Sequence, residues 1–237
     1  MITAIIQARM GSTRLPGKSM MEIEGIPMVA QVIRRVKQAK RVRKIILAIP
    51  GRDDSSPLAD TAWQEGVHCY VAGSTIPEND VLSRFYYAAR KHDAEPVVRV
   101  TADCPLIDPQ IIDRLVDYYM DNQFDFASTL DFYPDGFDTE IFSFAALKLA
   151  FTCALTTEER EHVTSYIRKN SSCGRLPYIR RPSRSVIPSI RGHSFSVDTR
   201  DDLVFARHVY RRFGPEFTMA DVLLLAKEER IEQSKRK

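Results

Sequence analysis

Short apolar runs alternate with amphipathic stretches through the first half of the chain. The runs ITAIIQA (2–8), KIILAIP (44–50), VHCYVA (67–72), PVVRVTA (96–102) and FDFAST (124–129) have the length and β-branched content of buried strands. Between them, apolar positions recur at helical spacing, as in Val29, Val32, Ile33 and Val36, and again in Ile111, Ile112, Leu115, Val116 and Tyr119. Asp108 before Pro109 is a helix start, the carboxylate capping free N–H groups and the proline taking the first helical position. Thr156 and Glu159 have capping-box spacing, which predicts a helix carrying Glu158, Arg160 and His162. The strand–helix alternation predicts an α/β protein with a parallel sheet covered by helices on both faces, and ligands outside the C-terminal strand ends. The last residues, KEERIEQSKRK, have no apolar face and are expected to fray.

Composition adds limits. A chain of 237 residues, 44% hydrophobic, buries one sizeable core, and 34 Lys and Arg against 31 Asp and Glu give no global reason to bind nucleic acid. The four cysteines are scattered without metal-ligand spacing, which fits a reducing compartment. MITAIIQARM is too short an apolar run for a signal peptide or a membrane span, so a cytoplasmic protein with no membrane partner is expected.

The chemistry concentrates at predicted strand ends. QARMGSTRLPGKS (7–19) comes close to a phosphate-binding P-loop, but Gly11 stands one residue too far from Gly17, Lys18 and Ser19, and Pro16 has no N–H to give a phosphate. The loop leaves the first strand at Ala8. Gly11 and Gly17 permit close backbone approach, Ser12 and Thr13 offer hydroxyls, and Arg9, Arg14 and Lys18 offer three cations for a polyanion such as a triphosphate. A solvated basic loop is the bland alternative. At the end of the fourth run, Thr101, Ala102 and Asp103 bring a carboxylate to the same edge. A carboxylate facing phosphates calls for a cation, and Mg²⁺ suits a few carboxylates with waters and phosphate oxygens. Asp198, ahead of a helical stretch, either shares that ion or caps the helix. Cys104 reads as a buried thiol, not a nucleophile.

The ordered segments ARMGSTRLPGK, TADCPLID, DGFDTEIFS, EREHVTSYI and SVDTRDDL span nearly the whole chain. Together they resemble the cytidylyltransferases that make CMP-activated sugar acids, most closely the branch named for spore coat polysaccharide biosynthesis protein F. The resemblance implies one nucleotidyltransferase domain over 1–237: a mostly parallel Rossmann-like sheet of the nucleotide-diphospho-sugar transferase type, flanked by helices. It also implies an inserted acceptor and dimerisation lobe at about 130–190, and a homodimer. It implies nucleotide binding by Ala8, Arg9, Gly11, Ser12, Arg14, Lys18, Arg84 and Thr101, Mg²⁺ binding by Asp103 and Asp198, and CTP with a sugar acid or sugar phosphate as substrates. In DGFDTEIF, a strand puts Asp138 and Glu140 on one face, about 6 to 7 Å apart, suited to sugar hydroxyls, a solvated face or part of a metal shell. His162 is open between acceptor contact and a structural role. Phe132, Tyr133, Phe137 and Tyr166 read as exposed interface aromatics, and Arg180, Arg181, Arg184 and Arg191 as an acid-attracting or solubilising run. The rival expectations are a nucleotide-sugar-dependent glycosyltransferase and a non-catalytic nucleotide-binding module.

Overall fold

The structure is a computed structural model and describes residues 1–130, 132–175 and 194–235. Its strands are β1 (Thr3–Gln7), β2 (Glu22–Ile23), β3 (Ile26–Pro27), β4 (Lys44–Ile49), β5 (His68–Val71), β6 (Val97–Thr101), β7 (Phe126–Ser128), β8 (Glu140–Phe142) and β9 (Cys173–Arg175). Its helices are α1 (Met28–Lys37), α2 (Ser56–Gln64), α3 (Val81–Lys91), α4 (Pro109–Asn122), α5 (Phe144–Cys153), α6 (Thr157–Glu161), α7 (Ser165–Asn170), α8 (Arg200–Phe213) and α9 (Met219–Lys235).

Among the described residues, one sheet of seven strands runs β5-β4-β1-β6-β8-β7-β9, and β2 with β3 forms a separate hairpin. The sheet is mostly parallel; β8 alone runs antiparallel to its neighbours β6 and β7. The apolar runs of the inner strands β1, β4 and β6 are nearly continuous because both faces are covered, whereas the edge strand β5 leaves His68 and Val71 exposed. From β1, Ala4 and Ile6 face the α1 and α4 side with Val29, Val32, Ile112 and Leu115. Ile5 points the other way, to Leu82 and Phe85 of α3 and Leu147 of α5. A third apolar group joins the hairpin to α8 and α9 through Ile23, Leu203, Val209 and Val222.

The order of the strands positions the site. From β1 the chain winds outward through β4 to β5, then returns to place β6 on the other side of β1. Connections leaving β1 and β6 therefore diverge, and a crevice opens between the C-terminal ends of the two strands, where Gln7 and Thr101 are direct cross-strand partners.

Two expectations change. Within the described part of 130–190, β8 and β9 belong to the main sheet and α5 packs against α3. Tyr133 and Phe137 are buried, the Phe137 ring packing tilted against Phe195 at 5.3 Å between centroids, because the turn ahead of β8 folds inward; Phe132 is the aromatic left exposed there. The C-terminal segment stays helical to Lys235, since its Lys and Glu residues are good helix formers and Glu228 and Glu229 bond Arg212 and His208 of α8. Arg180, Arg181, Arg184 and Arg191 lie outside the described residues. Among the described residues no helix is long and apolar enough to cross a membrane.

Candidate functional site

The loop after β1 is not a P-loop. Its backbone closes on itself, Ser12 and Gly17 both donating to the Met10 carbonyl at 2.9 and 3.1 Å. Gly17 has a φ of 70°, the left-handed turn that glycine adopts without strain, and only a single 3-10 turn (Lys18–Met20) follows before the hairpin. No long helix aims its N-terminus at a ligand here. The side chains carry the chemistry instead.

Lys18 reaches across the crevice. Its ammonium donates to Asp103 Oδ2 at 2.9 Å, to Asp198 Oδ1 at 2.8 Å and to the Val197 carbonyl at 2.9 Å. Arg14 Nη2 meets the other oxygen of Asp198 at 2.9 Å. The two aspartates are fixed from behind: the Val197 N–H donates to the Asp103 carbonyl at 2.7 Å. Asp198 is not the helix cap. Thr199 holds that position, in a capping box with Asp202, which leaves the Asp198 carboxylate for the crevice. Burial alone would lower the Lys18 ammonium, but Asp103 and Asp198 together raise it above its ordinary value. Burial likewise pushes the Asp103 carboxyl up, but the Lys18 charge together with the hydrogen bonds from Lys18, Thr101 and the backbone holds it below the ordinary range.

Two cavities of about 270 Å³ each meet at this cluster, sharing Arg14, Arg99, Thr101, Asp103 and Asp198 in their walls. The first collects most of the residues expected to hold nucleotide: Ala8, Arg9, Ser12, Arg14, Lys18, Arg84 and Thr101. His162, the residue that closes α6, lines it too. Gly11 does not; it packs under Glu78, whose carboxylate would lie 2.5 Å from a Cβ there. Arg84 is 1% exposed; an Nη donates to the Glu78 carbonyl, its Nε has no partner among the described residues, and burial drops its pKa to about 10, with Glu78 opposing and Arg9 adding to the fall. A largely buried guanidinium in a cavity wall is suited to an anionic or acceptor-rich ligand.

The second cavity is acidic, with Asp135, Asp138, Glu140 and Ser196 in its walls. Glu140 is 2% exposed and fully engaged, accepting from Arg99 Nη1 at 2.6 Å and the Thr164 hydroxyl at 2.8 Å. Asp135 accepts from the hydroxyls of Ser194 and Ser196. Among the described residues no cation pairs with Asp138; burial, then the Asp135 charge, lift its pKa from 3.8 to about 6. Gly136 makes this turn possible: a Cβ there would stand 2.5 Å from the Phe195 carbonyl carbon. Cys104 is buried against the Thr101 hydroxyl at 3.0 Å, and burial followed by the Asp103 charge raises its thiol well above the ordinary value, which removes the nucleophilic thiolate.

Sequence reasoning missed Arg99, Gln7 and Asp135. Arg99 lines both cavities and bonds Gln7 at 3.2 Å as well as Glu140. Its signal was a charge inside the apolar run VVRVT, a costly placement unless a partner waits across the sheet.

Mg²⁺ fits this donor set. The Lys18 ammonium already sits as a cation between two carboxylates, and hard oxygen donors suit a hard ion. Among the described residues no three His, Cys, Asp or Glu side chains converge as metal ligands. Asp103 and Asp198 would therefore supply two ligands, with water and phosphate oxygens completing the shell, the usual arrangement for Mg²⁺.

Comparison with known proteins places this geometry among relatives. The sequence profile of a family described as cytidylyltransferase matches residues 3–216. The spore coat polysaccharide biosynthesis protein SpsF of Bacillus subtilis is 28% identical over 234 residues, covering 94% of this chain and 93% of its own. The structure of a cytidylyltransferase from Leptospira borgpetersenii superposes with a TM-score of 0.85 at 27% identity, over 96% of this chain and 94% of that one. A CMP:2-keto-3-deoxy-manno-octonic acid synthetase complexed with CTP shares the fold, with a TM-score of 0.66 at 16% identity, over 90% of this chain and 99% of that one.

Proposed function

Because this chain belongs to the cytidylyltransferase family, we propose that it transfers CMP from CTP to a hydroxyl of a sugar acid or sugar phosphate, releasing pyrophosphate, in glycan biosynthesis. The observation that carries the reading is the meeting of a cationic and an acidic cavity at Lys18, Asp103 and Asp198. CTP occupies the first cavity, with Arg9, Arg14 and Arg84 gripping its phosphates. The acceptor occupies the second. Asp135 and Asp138 accept from its hydroxyls, and the guanidinium edge of Arg99 not used by Gln7 or Glu140 takes its acid group.

The acceptor oxygen attacks the α-phosphorus in line and the bond to the β-phosphate oxygen breaks, so positioning and charge neutralisation supply most of the catalysis. Asp103 and Asp198 would hold Mg²⁺, which would supply further charge neutralisation at the phosphates when bound. The arginines stabilise the leaving pyrophosphate, and Asp138 holds the attacking hydroxyl. No covalent enzyme intermediate is needed. Pyrophosphate release, screened over four nucleoside triphosphates against a panel of sugar acids and sugar phosphates, tests the reading. Release with CTP is the expected result; nucleoside diphosphate freed from a nucleotide sugar would refute it in favour of glycosyl transfer.

The same reading places the enzyme in the cytoplasm as a homodimer. Exposed Phe132, Leu149 and Leu155, in and beside the β8–α5 region, support the dimer. Light scattering that returned a monomer mass near 27.1 kDa at micromolar concentration would refute it.

A further inference from the structure

A lysine ammonium has three N–H donors and no acceptor. All three donors of Lys18 are engaged within the protein, by Asp103, Asp198 and the Val197 carbonyl. Its side chain is only 12% exposed, whereas that of Arg14 on the same loop is 68% exposed. Lys18 therefore cannot bond a phosphate oxygen without giving up one of these partners. The converse also holds. A divalent ion bound about 2.1 Å from carboxylate oxygens cannot enter while the ammonium stands between Asp103 and Asp198.

We propose that Lys18 is an internal counter-cation that keeps the divalent-metal site closed until a phosphate group draws it away, so that metal and nucleoside triphosphate bind cooperatively. The inference rests on the nucleotidyl-transfer reading for the identity of the phosphate ligand. Among the described residues Arg14 pairs with Asp198 and not with Asp103, so Lys18 is the cation that joins the two carboxylates in the closed state. The exchange needs no rearrangement of the loop. The backbone is held by the two bonds to the Met10 carbonyl and by Ser19 Oγ donating to the Arg9 carbonyl at 3.0 Å, so the motion is confined to the Lys18 side chain. In the closed state the ammonium preserves the spacing of the two carboxylates and cancels their repulsion. In the open state it follows the phosphates and the carboxylates take the metal. Linkage then requires that nucleotide raise metal affinity by the same factor as metal raises nucleotide affinity.

The test uses Mn²⁺ alone as probe, read by electron paramagnetic resonance without nucleotide. Lys18→Met is expected to bind one Mn²⁺ at least tenfold more tightly than the wild type, and Lys18→Met/Asp103→Asn to lose that site. Equal Mn²⁺ affinity of wild type and Lys18→Met would overturn the proposal, whether both bind or neither does. Should Lys18→Met not fold, wild-type melting decides: Mg²⁺ with CTP must raise the melting temperature by more than the sum of Mg²⁺ alone and CTP alone in EDTA. Additive shifts would overturn it. These readouts need no acceptor, so their failure is distinguishable from failure of the pyrophosphate-release screen.

Discussion

Asp138→Asn is expected to make the protein more stable and less active. The folded environment raises the Asp138 pKa from 3.8 to about 6, through burial first and the Asp135 charge second, with the Gly136 N–H and Glu140 pulling in opposite directions. A raised carboxyl pKa means that the folded protein holds this proton more tightly than the unfolded chain. Stability therefore falls as pH rises from about 4 to about 6, and the full cost of the charge is present above that window. Two units correspond to roughly 3 kcal/mol at most, and partial solvent access reduces the expected gain to about 1 to 3 kcal/mol. Asparagine removes the charge but keeps the Oδ1 acceptor that Gly136 uses at 3.0 Å. Urea denaturation of both proteins at pH 4 and pH 8 reads the effect directly. The variant should be more stable at pH 8, and the gap should close at pH 4, while turnover drops because the acceptor hydroxyl loses its carboxylate. A variant less stable than wild type at pH 8, or a gap independent of pH, would refute the reasoning.

Arg99→Met should destabilise the fold by about 3 to 5 kcal/mol, since it strands the buried Glu140 with only the Thr164 hydroxyl; pairing it with Glu140→Met should recover much of the loss, and a single variant costing under about 1 kcal/mol by chemical denaturation would argue against the pair. Asp103→Asn and Asp198→Asn should each remove most pyrophosphate release, with the double variant little worse than either, as for groups acting as a unit; near-normal turnover in one single variant would exclude a shared role. Arg84→Met should weaken CTP binding by about 1.5 to 3 kcal/mol, with a loss of stability from the missing bond to the Glu78 carbonyl that is read separately by chemical denaturation; unchanged affinity in calorimetric titration would remove Arg84 from the nucleotide site.

The runs holding β1, β4 and β6 were readable because strands covered on both faces carry nearly unbroken apolar stretches, while those holding β7 and the exposed edge strand β5 were readable from their apolar and aromatic content. β9 was not, since three residues, Cys173 to Arg175, leave no periodicity to detect. The loop cations and the aspartates Asp103 and Asp198 were visible as residue types beside the predicted strands and helices. Their pairing was not, because the Lys18 bonds to Asp103 and Asp198 join residues 85 and 180 positions apart. Arg99 and Glu140 meet through the antiparallel register of β8 on β6, which no local pattern encodes. The cap at the start of α8 shows the same limit on a smaller scale: Asp198 and Thr199 are both good capping residues, and only the bond of Thr199 to Asp202 decides between them.

The backbone bond from Val197 to Asp103 also bears on synthesis of the protein. Chains emerge from the ribosome N-terminus first, and folding can begin on the segments already made. The loop cations Arg9 and Arg14, together with β1, β4 and β6, are available early. The second aspartate arrives only when the strand-like segment through Val197 has docked beside Asp103 and Phe195 has closed over Gly136. A nascent or prematurely terminated chain that stops before Asp198 thus carries a basic loop with half of its carboxylate pair, and cannot turn over nucleotide while unfinished.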